Sequence, residues 1–552
     1  MAGPDSSPSW SFPLGPEGHG PYRLLYAGRK KLVERFHDAV RDPQAAQKER
    51  LDVLLRITRG TRYGDLHRLD GVKSLADFRS AVPLRTHSDL LPWLDRVAAG
   101  EKDVLTRERV TSLLETSGTT GRPKHLPVTQ TWARSVSEAQ AMWVLSMVRD
   151  HEAVTKGRAL TMVSPAEHAR SAGGLAIGSN TGRMHRRQPW YVKLRFPVPT
   201  SVYGLKPDIL KWYVLLRFAI QADIASITTA NPSTVLLMCR RLLEWQDPLS
   251  RDLEAGTLRH GPAADLPRWL RFKLERRLRK AKPQADFRPA KLWPLALVNC
   301  WKGGPAGYFV ERLPEALGAH VPVREVGITA SEGTFAIPLG DDWPGGVLWP
   351  LGHLMEFIGD DGEPRWMWEL EQGERVRLVV SAENGLLRYD LRDTLEVVGR
   401  CENTPVMRFV GKTGRWLNCT GEKVTEAQVA DAFRQAVAAE GGGAIGFTAR
   451  IDWGALPRFV VALEQGEGPP AGPALAAAFD RALQTINIEY EAKRESERIG
   501  PPVVEVLPRG TYARWRAARV AAGAPDGQVK DPILAVDDAE WQRVLDAAQA
   551  GG

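Results

Sequence analysis

The chain has 552 residues, too many for one ordinary core, so a large domain with a smaller one, or several of common size, is expected. Hydrophobic residues at 43% and charged residues at 25% are globular values, which excludes a fibrous chain or one disordered over most of its length. A net charge of +8 is modest for this length; it suits a small anionic substrate and does not demand nucleic acid.

Cys239, Cys300, Cys401 and Cys419 are scattered with no CxxC pair, so neither a disulfide framework nor a zinc site is indicated. Buried thiols in a reducing cytoplasm are expected. Residues 1–20 are rich in Pro, Gly and Ser and lack a cationic start followed by an apolar run, which reads as a disordered tail and not as a secretory signal. No apolar stretch approaches the roughly 20 residues of a membrane-spanning helix. A cytoplasmic protein with no membrane partner is expected.

From Tyr22 to Ile57 the spacing predicts helices, with Leu32, Phe36 and Val40 on one face and Leu51, Leu54 and Leu55 marking the next. An apolar run from Val110 to Glu115 then leads into Thr116-Ser117-Gly118-Thr119-Thr120-Gly121-Arg122-Pro123-Lys124, and a second extended segment runs from His125 to Val128. The pattern is strand, tight loop, strand. Gly118 and Gly121 remove the Cβ that would hold the backbone away from phosphate oxygens, and Lys124 adds a mobile charge. A Walker A loop would place Ser or Thr after the lysine and open directly into a helix, whereas His125 follows here and the next helix starts near Thr131. A polar surface hairpin would explain Ser-Gly-Thr-Thr-Gly alone; Pro123-Lys124 in register with a strand on either side favours phosphate. At this point the stretch resembles the phosphate-binding signature of adenylate-forming enzymes.

An amphipathic helix is predicted from Thr131 to Val148, turning Trp132, Val136, Ala139, Trp143 and Met147 toward a core. The glycine-rich run Ser171 to Ser179 lacks GxGxxG spacing and reads equally as the wall of an acyl pocket or as a flexible loop. Ile224 to Thr229 reads as a strand entering a helix capped by Asn231, with Pro232 at its first position. Arg268 to Lys282 holds eight Lys or Arg against Glu275, with Leu270, Leu274 and Leu278 as a buried seam; a solvated basic helix face is expected, and a nucleic-acid surface is the competing reading.

A strand from Leu295 to Cys300, a helix from Tyr308 to Leu317 and a strand from Val321 to Val326 running into Gly327-Ile328-Thr329-Ala330-Ser331-Glu332 continue the alternation. Such alternation implies a largely parallel, helix-covered sheet whose loops converge on one side. Short strands dominate from Gly345 to Val398 and suggest a barrel-like subdomain, with Asp393 at the end of one of them. Phe409 to Arg415 reads as a glycine-punctuated hinge, followed by Lys423 and a helix from Glu426 to Ala439. The fold class expected is therefore α/β: a large domain over residues 21–411, built of parallel sheets with helices plus the barrel-like part, and a small mobile α+β domain over residues 412–552.

Pro508-Arg509-Gly510-Thr511-Tyr512 and the run Gly523 to Pro532, which contains Lys530, resemble the C-terminal signature of the GH-three (auxin-responsive) family of acyl acid–amido synthetases. Phe78 to Leu84, Gly100 to Thr106, Asn231 to Thr234 and Leu292-Trp293-Pro294 through Trp301 are similar to that family too, so the resemblance spans nearly the whole chain. Ile328, Thr329 and Ala330 depart from the Tyr and Ser common before the Ser-Glu pair, Arg392 stands where a glycine commonly precedes the aspartate, and Val529 replaces a usual tyrosine. High Ala, Arg and Gly usage resembles bacterial members of the family more than plant ones.

The resemblance implies an ATP-dependent ligase: a carboxylic acid is adenylated, and an amine, expected to be an amino acid, then takes the acyl group and releases AMP. In that scheme Thr116, Ser117, Gly118, Thr119, Thr120 and Lys124 hold the phosphates, Glu332 is the Mg²⁺ ligand, and Thr329 and Ser331 donate to the α-phosphate. Asp393 accepts from the ribose hydroxyls. Lys423 and Lys530 act catalytically from the small domain. The partners implied are small molecules, with no nucleic acid. An acyl-CoA ligase ending in a thioester is the alternative, and a non-catalytic nucleotide- or nucleic-acid-binding protein the rival of another class.

Overall fold

The computed structural model describes residues 9–116, 124–343, 345–412, 416–417, 422, 424–441, 443–453, 456–466, 472–495, 499–524 and 529–550. Local signals start the helices. Asp42 accepts from the Ala45 N–H ahead of Pro43–Thr58, with Pro43 in the first turn, and Ser74 forms a capping box with Asp77 ahead of Leu75–Ala81. The helix Lys30–Arg41 buries Phe36 and Val40 as the spacing predicts, together with Val33 and Ala39, while Leu32 is only partly buried, and the next helix buries Leu51, Leu54 and Leu55 as predicted.

Residues 9–20 depart from the disordered tail expected there. Ser9–Trp10 pairs in parallel with Arg400 and Cys401, Phe12 lies edge-on to Phe36 at 5.3 Å, and Leu14 is buried in the same cluster. Burying those apolar side chains outweighs the loop-forming tendency of the prolines and glycines between them.

The chain divides into two compact units. The larger comprises Met1–Gly303, Phe309–Leu391 and Leu395–Phe409; the smaller comprises Gly304–Tyr308, Arg392–Thr394 and Val410–Gly552. In the larger unit Arg158–Thr161, Ile224–Thr228, Leu297–Asn299 and Val323–Arg324 form a parallel sheet in that order. Right-handed crossovers make the intervening helices cover such a sheet. A second sheet pairs Lys124–Val128 with Ser112–Thr116, which runs parallel to Ala176–Gly178. The β-rich region is a nine-stranded sheet whose path starts at Ile328–Ala330 and ends at Pro364–Trp366.

The predicted helix after the phosphate-loop segment spans Gln130–Asp150 and buries Trp132, Val136, Ala139 and Trp143. The basic segment is helical only over Arg268–Glu275, with Leu274 buried and Leu270 and Leu278 packed against the core. In the smaller unit Ala444–Asp452 pairs antiparallel with Arg458–Gln465, which pairs in parallel with Gly500–Leu507. The helix Glu426–Glu440 sets Phe433 in a stack on Phe447, ring centroids 4.0 Å apart.

Candidate active site

Cross-strand register places Thr116 directly opposite Lys124, so the two strands bring together the ends of the glycine-rich loop. Ser117, Gly118, Thr119 and Thr120 lie outside the described residues. Glu115, one residue before, faces His125 across the pair: His125 Nε2 is 3.2 Å from one carboxylate oxygen, and His168 Nε2 is 3.0 Å from the other. Burial would raise the Glu115 carboxyl, but the hydrogen bond from His125 and the charges of His168 and His125 outweigh it and hold the group below the usual carboxylate range. His87 is pushed down to about 4, by burial first and then by the Lys124 charge.

Thr329, Ser331 and Glu332 belong to one tight hairpin between Ile328–Ala330 and Gly333–Ile337. Thr329 and Ser331 are half-buried and Glu332 is buried. The helix that follows the phosphate-loop strands is tied to this hairpin. Thr129 caps it, and Trp132 Nε1 donates to the Glu332 carbonyl at 2.7 Å, a bond spanning 200 positions of sequence. Thr129 Oγ1 donates to the Glu383 carbonyl at 3.0 Å, and Asn384 Nδ2 donates to the Pro127 carbonyl at 3.1 Å. His353 is fully buried with Nδ1 2.7 Å from a Glu383 carboxylate oxygen, and its Nε2 lies where a Cβ on Gly333 would stand. Only glycine fits between that imidazole and the strand.

The turn offers the chemistry that a hard divalent cation takes from a protein, one carboxylate with phosphate and water left for the other positions: Glu332 would be that carboxylate, with the hydroxyl-bearing Thr329 and Ser331 in the same hairpin. Among the described residues no cluster of three or more His, Cys, Asp or Glu side chains forms a complete metal cage.

Sequence reasoning missed Arg183. It lies on the helix Asn180–Arg187, 95% buried, with its guanidinium over the Trp132 ring at 5.1 Å and donating to the side-chain amide oxygen of Asn180. Those contacts are with neutral groups, so a desolvated cation sits next to the indole that holds the Glu332 turn. Burial, followed by repulsion from Arg187, pulls its pKa down to about 10. The one signal in sequence was its place after the glycine-rich run read as a possible acyl pocket.

The remaining site candidates belong to the smaller unit. Asp393 is buried on the strand Tyr389–Cys401, and exposed Arg392 before it has φ +58°, the left-handed region that glycine populates freely. Lys423 lies outside the described residues; its neighbours Glu422 and Val424 are fully buried. Lys530 is exposed between anchored residues: Val529 is buried, and Asp531 accepts from Arg516 Nη2 at 2.7 Å. The larger unit thus holds both the strands flanking the glycine-rich loop and the Glu332 hairpin, while Asp393 and Lys530 are placed only within the smaller one.

The sequence matches the GH3 family N-terminal domain over residues 32–323, the GH3 family central domain over 346–412 and the GH3 family C-terminal domain over 427–539. It is 22% identical to jasmonoyl–L-amino acid synthetase JAR6 of Nicotiana attenuata, the alignment covering 91% of this chain and 93% of that one. It is 25% identical to the probable indole-3-acetic acid-amido synthetase GH3.12 of Oryza sativa subsp. japonica, covering 94% and 95%. In structure it is similar to the GH3.15 acyl acid amido synthetase, with TM-score 0.81 and 19% identity over 94% of this chain and 95% of that one.

Proposed function

The chain belongs to the GH3 family, and on that premise we propose that it is an AMP-forming ligase that adenylates a carboxylic acid with ATP and transfers the acyl group to an amino acid. The observation that carries the reading is the Trp132 bond to the Glu332 carbonyl, which ties the helix following the strands around the glycine-rich loop to the Glu332 turn within the larger unit. The names of the three proteins compared above, an L-amino acid synthetase and two amido synthetases, favour an amide over a thioester product.

In the first half-reaction a carboxylate oxygen attacks the α-phosphorus and the bond to pyrophosphate breaks. The chain has to align that attack and offset phosphate charge, which is positioning and electrostatics more than covalent catalysis. Thr116, Ser117, Gly118, Thr119, Thr120 and Lys124 hold the phosphates; Thr329 and Ser331 donate to the α-phosphate. Glu332 holds Mg²⁺, which when bound offsets the charge of the phosphate oxygens. Arg183, which meets no carboxylate among the described residues, receives the acid's carboxylate. Asp393 accepts from the ribose hydroxyls. In the second half-reaction the amine attacks the acyl carbon, the amine loses a proton and AMP leaves with the bonding electrons. Lys423 serves adenylation, and Lys530 weighs unequally on the two steps.

The three described cysteines are buried and unbridged, which supports a cytoplasmic setting. Among the described residues no helix is long and apolar enough to cross a membrane.

The test is acid-dependent ATP–pyrophosphate exchange across a panel of carboxylic acids, followed by mass analysis of products formed with amino acids or with CoA. Exchange with an amide product is expected. No exchange with any acid would favour a binding protein, and a thioester in place of an amide would favour the CoA ligase. Glu332→Gln, nearly isosteric, is expected to abolish exchange while leaving the melting temperature unchanged; an unchanged exchange rate would remove Glu332 from the metal site.

A further inference from the structure

At the carboxyl ends of the parallel strands the loops lie against one another: the Thr229 N–H donates to the Asn299 carbonyl at 3.0 Å, and the Trp301 N–H to the Ala230 carbonyl at 2.9 Å. This edge is where open α/β sheets hold ligands. Glu325, next after the strand Val323–Arg324, stands there with 4% of its surface exposed. Among the described residues its carboxylate is held by backbone N–H groups alone. One oxygen accepts from the Lys302 N–H at 2.6 Å and the Gly303 N–H at 3.3 Å; the other accepts from the Val326 N–H at 2.9 Å and the Gly327 N–H at 3.1 Å. The Lys302 ammonium turns away and donates to the Asp341 carbonyl.

A buried carboxylate survives only when donors replace its water, and a donor left buried without an acceptor is itself costly. Glu325 answers both needs in two loops at once. The loops need it because the backbone is irregular on either side. Gly327 has φ +96°, with the Ala336 carbonyl where a Cβ would stand, and the strand register shifts between Ile328 and Thr329. Trp143 Nε1 fixes the residue from below by donating to the Glu325 carbonyl at 2.9 Å.

We propose that Glu325 is a positioning residue of the adenylation step: its carboxylate clamps the loop 301–303 to the segment Val326–Gly327 and thereby sets the place of Thr329, Ser331 and Glu332. This rests on the assignment of that hairpin to the α-phosphate and the divalent cation. Glu325 touches neither; it acts through the backbone of the residues that do. Gln at this position keeps the shape but turns an NH₂ group toward N–H donors, so one of the two loops loses its acceptor.

The experiment compares the full-length wild type with Glu325→Gln and with Glu325→Asp, which keeps the charge one methylene short. Amide hydrogen exchange is read over 301–303 and 326–329, with Arg458–Gln465 as an internal reference. Exchange at least tenfold faster in at least one of the two loops for Gln and for Asp, with the reference unchanged, is expected. ATP affinity measured directly by equilibrium binding should weaken at least fivefold, and in pyrophosphate exchange the KM for ATP should rise while that for the acid stays within twofold. Unchanged protection in the loops would overturn the proposal, as would faster exchange throughout the chain or an equal rise in both KM values. A wild type silent in pyrophosphate exchange would sink the ligase reading alone, since amide exchange and ATP binding still decide the role of Glu325.

Discussion

Arg392 carries a backbone conformation that an arginine rarely adopts, at φ +58° immediately before Asp393. A left-handed residue other than glycine costs roughly 1–2 kcal/mol, and glycine's extra unfolded-state freedom returns roughly 0.5–1 of it. Arg392→Gly should therefore stabilise the protein by up to about 1.5 kcal/mol, read as a higher urea midpoint with an unchanged slope. A lower midpoint would show that the arginine's contacts outweigh the strain. Arg183 poses the opposite problem, a side chain in comfortable geometry carrying an awkward charge. Removing a buried cation that has no carboxylate partner among the described residues relieves desolvation, while losing its stack on Trp132 costs about 1 kcal/mol. Arg183→Met is expected to leave the melting temperature unchanged or higher while raising the KM for the acid at least tenfold and that for ATP less than twofold. A selective rise for ATP would instead assign the guanidinium to the phosphates.

The hairpin ending at Gly333 and the helix His87–Ala98 show how whole elements depend on single groups. In Gly333→Ala the new methyl would meet a His353 ring pinned by Glu383 and by burial, so the strand has to shift with Glu332 at its end. Overpacking of this kind costs about 1–3 kcal/mol. A melting temperature lowered by several degrees, together with loss of pyrophosphate exchange, is expected; wild-type values in both would mean that the pair yields easily. His87 begins its helix and is held near 4, below its ordinary 6.5, by burial and by Lys124. The unfolded chain then binds a proton that the folded chain refuses, so stability is fully present above about pH 6.5 and falls as pH drops toward about 4. Glu115, held below its ordinary range, loses its own contribution at lower pH still, as the carboxylate protonates. Denaturant midpoints from pH 7.5 to 4.5 should fall more steeply for the wild type than for His87→Gln, and parallel curves would contradict this.

At the scale of the molecule the two units carry different parts of the proposed chemistry. A group that acts in one chemical step lowers only that step's barrier. Lys423→Ala should suppress pyrophosphate exchange strongly, and Lys530→Ala should change adenylation and amide formation by different factors, read by comparing exchange with single-turnover transfer from a preformed acyl-adenylate. Equal losses in both steps for both variants would show that the lysines do not divide the work. Asp393→Ala should raise the KM for ATP and leave that for the amine alone.

Much of this was legible in the chain because local physics decides it. The apolar spacing of Phe36 and Val40, the amphipathic stripe of Trp132, Val136 and Ala139, and the strands flanking the glycine-rich loop each depend on neighbours a few residues away, and each element forms where the spacing places it. Motifs in order along the chain sufficed for the family. What the linear order does not contain is which distant groups meet. Trp132 and Glu332 are bonded across 200 positions, Ser9–Trp10 finds a strand edge nearly four hundred residues on, and the single acid Glu325 satisfies four N–H groups from two loops. Such pairings follow from satisfying buried polar groups and covering apolar surface in three dimensions, so the cation at Arg183 and the clamp at Glu325 became visible only once the chain was folded.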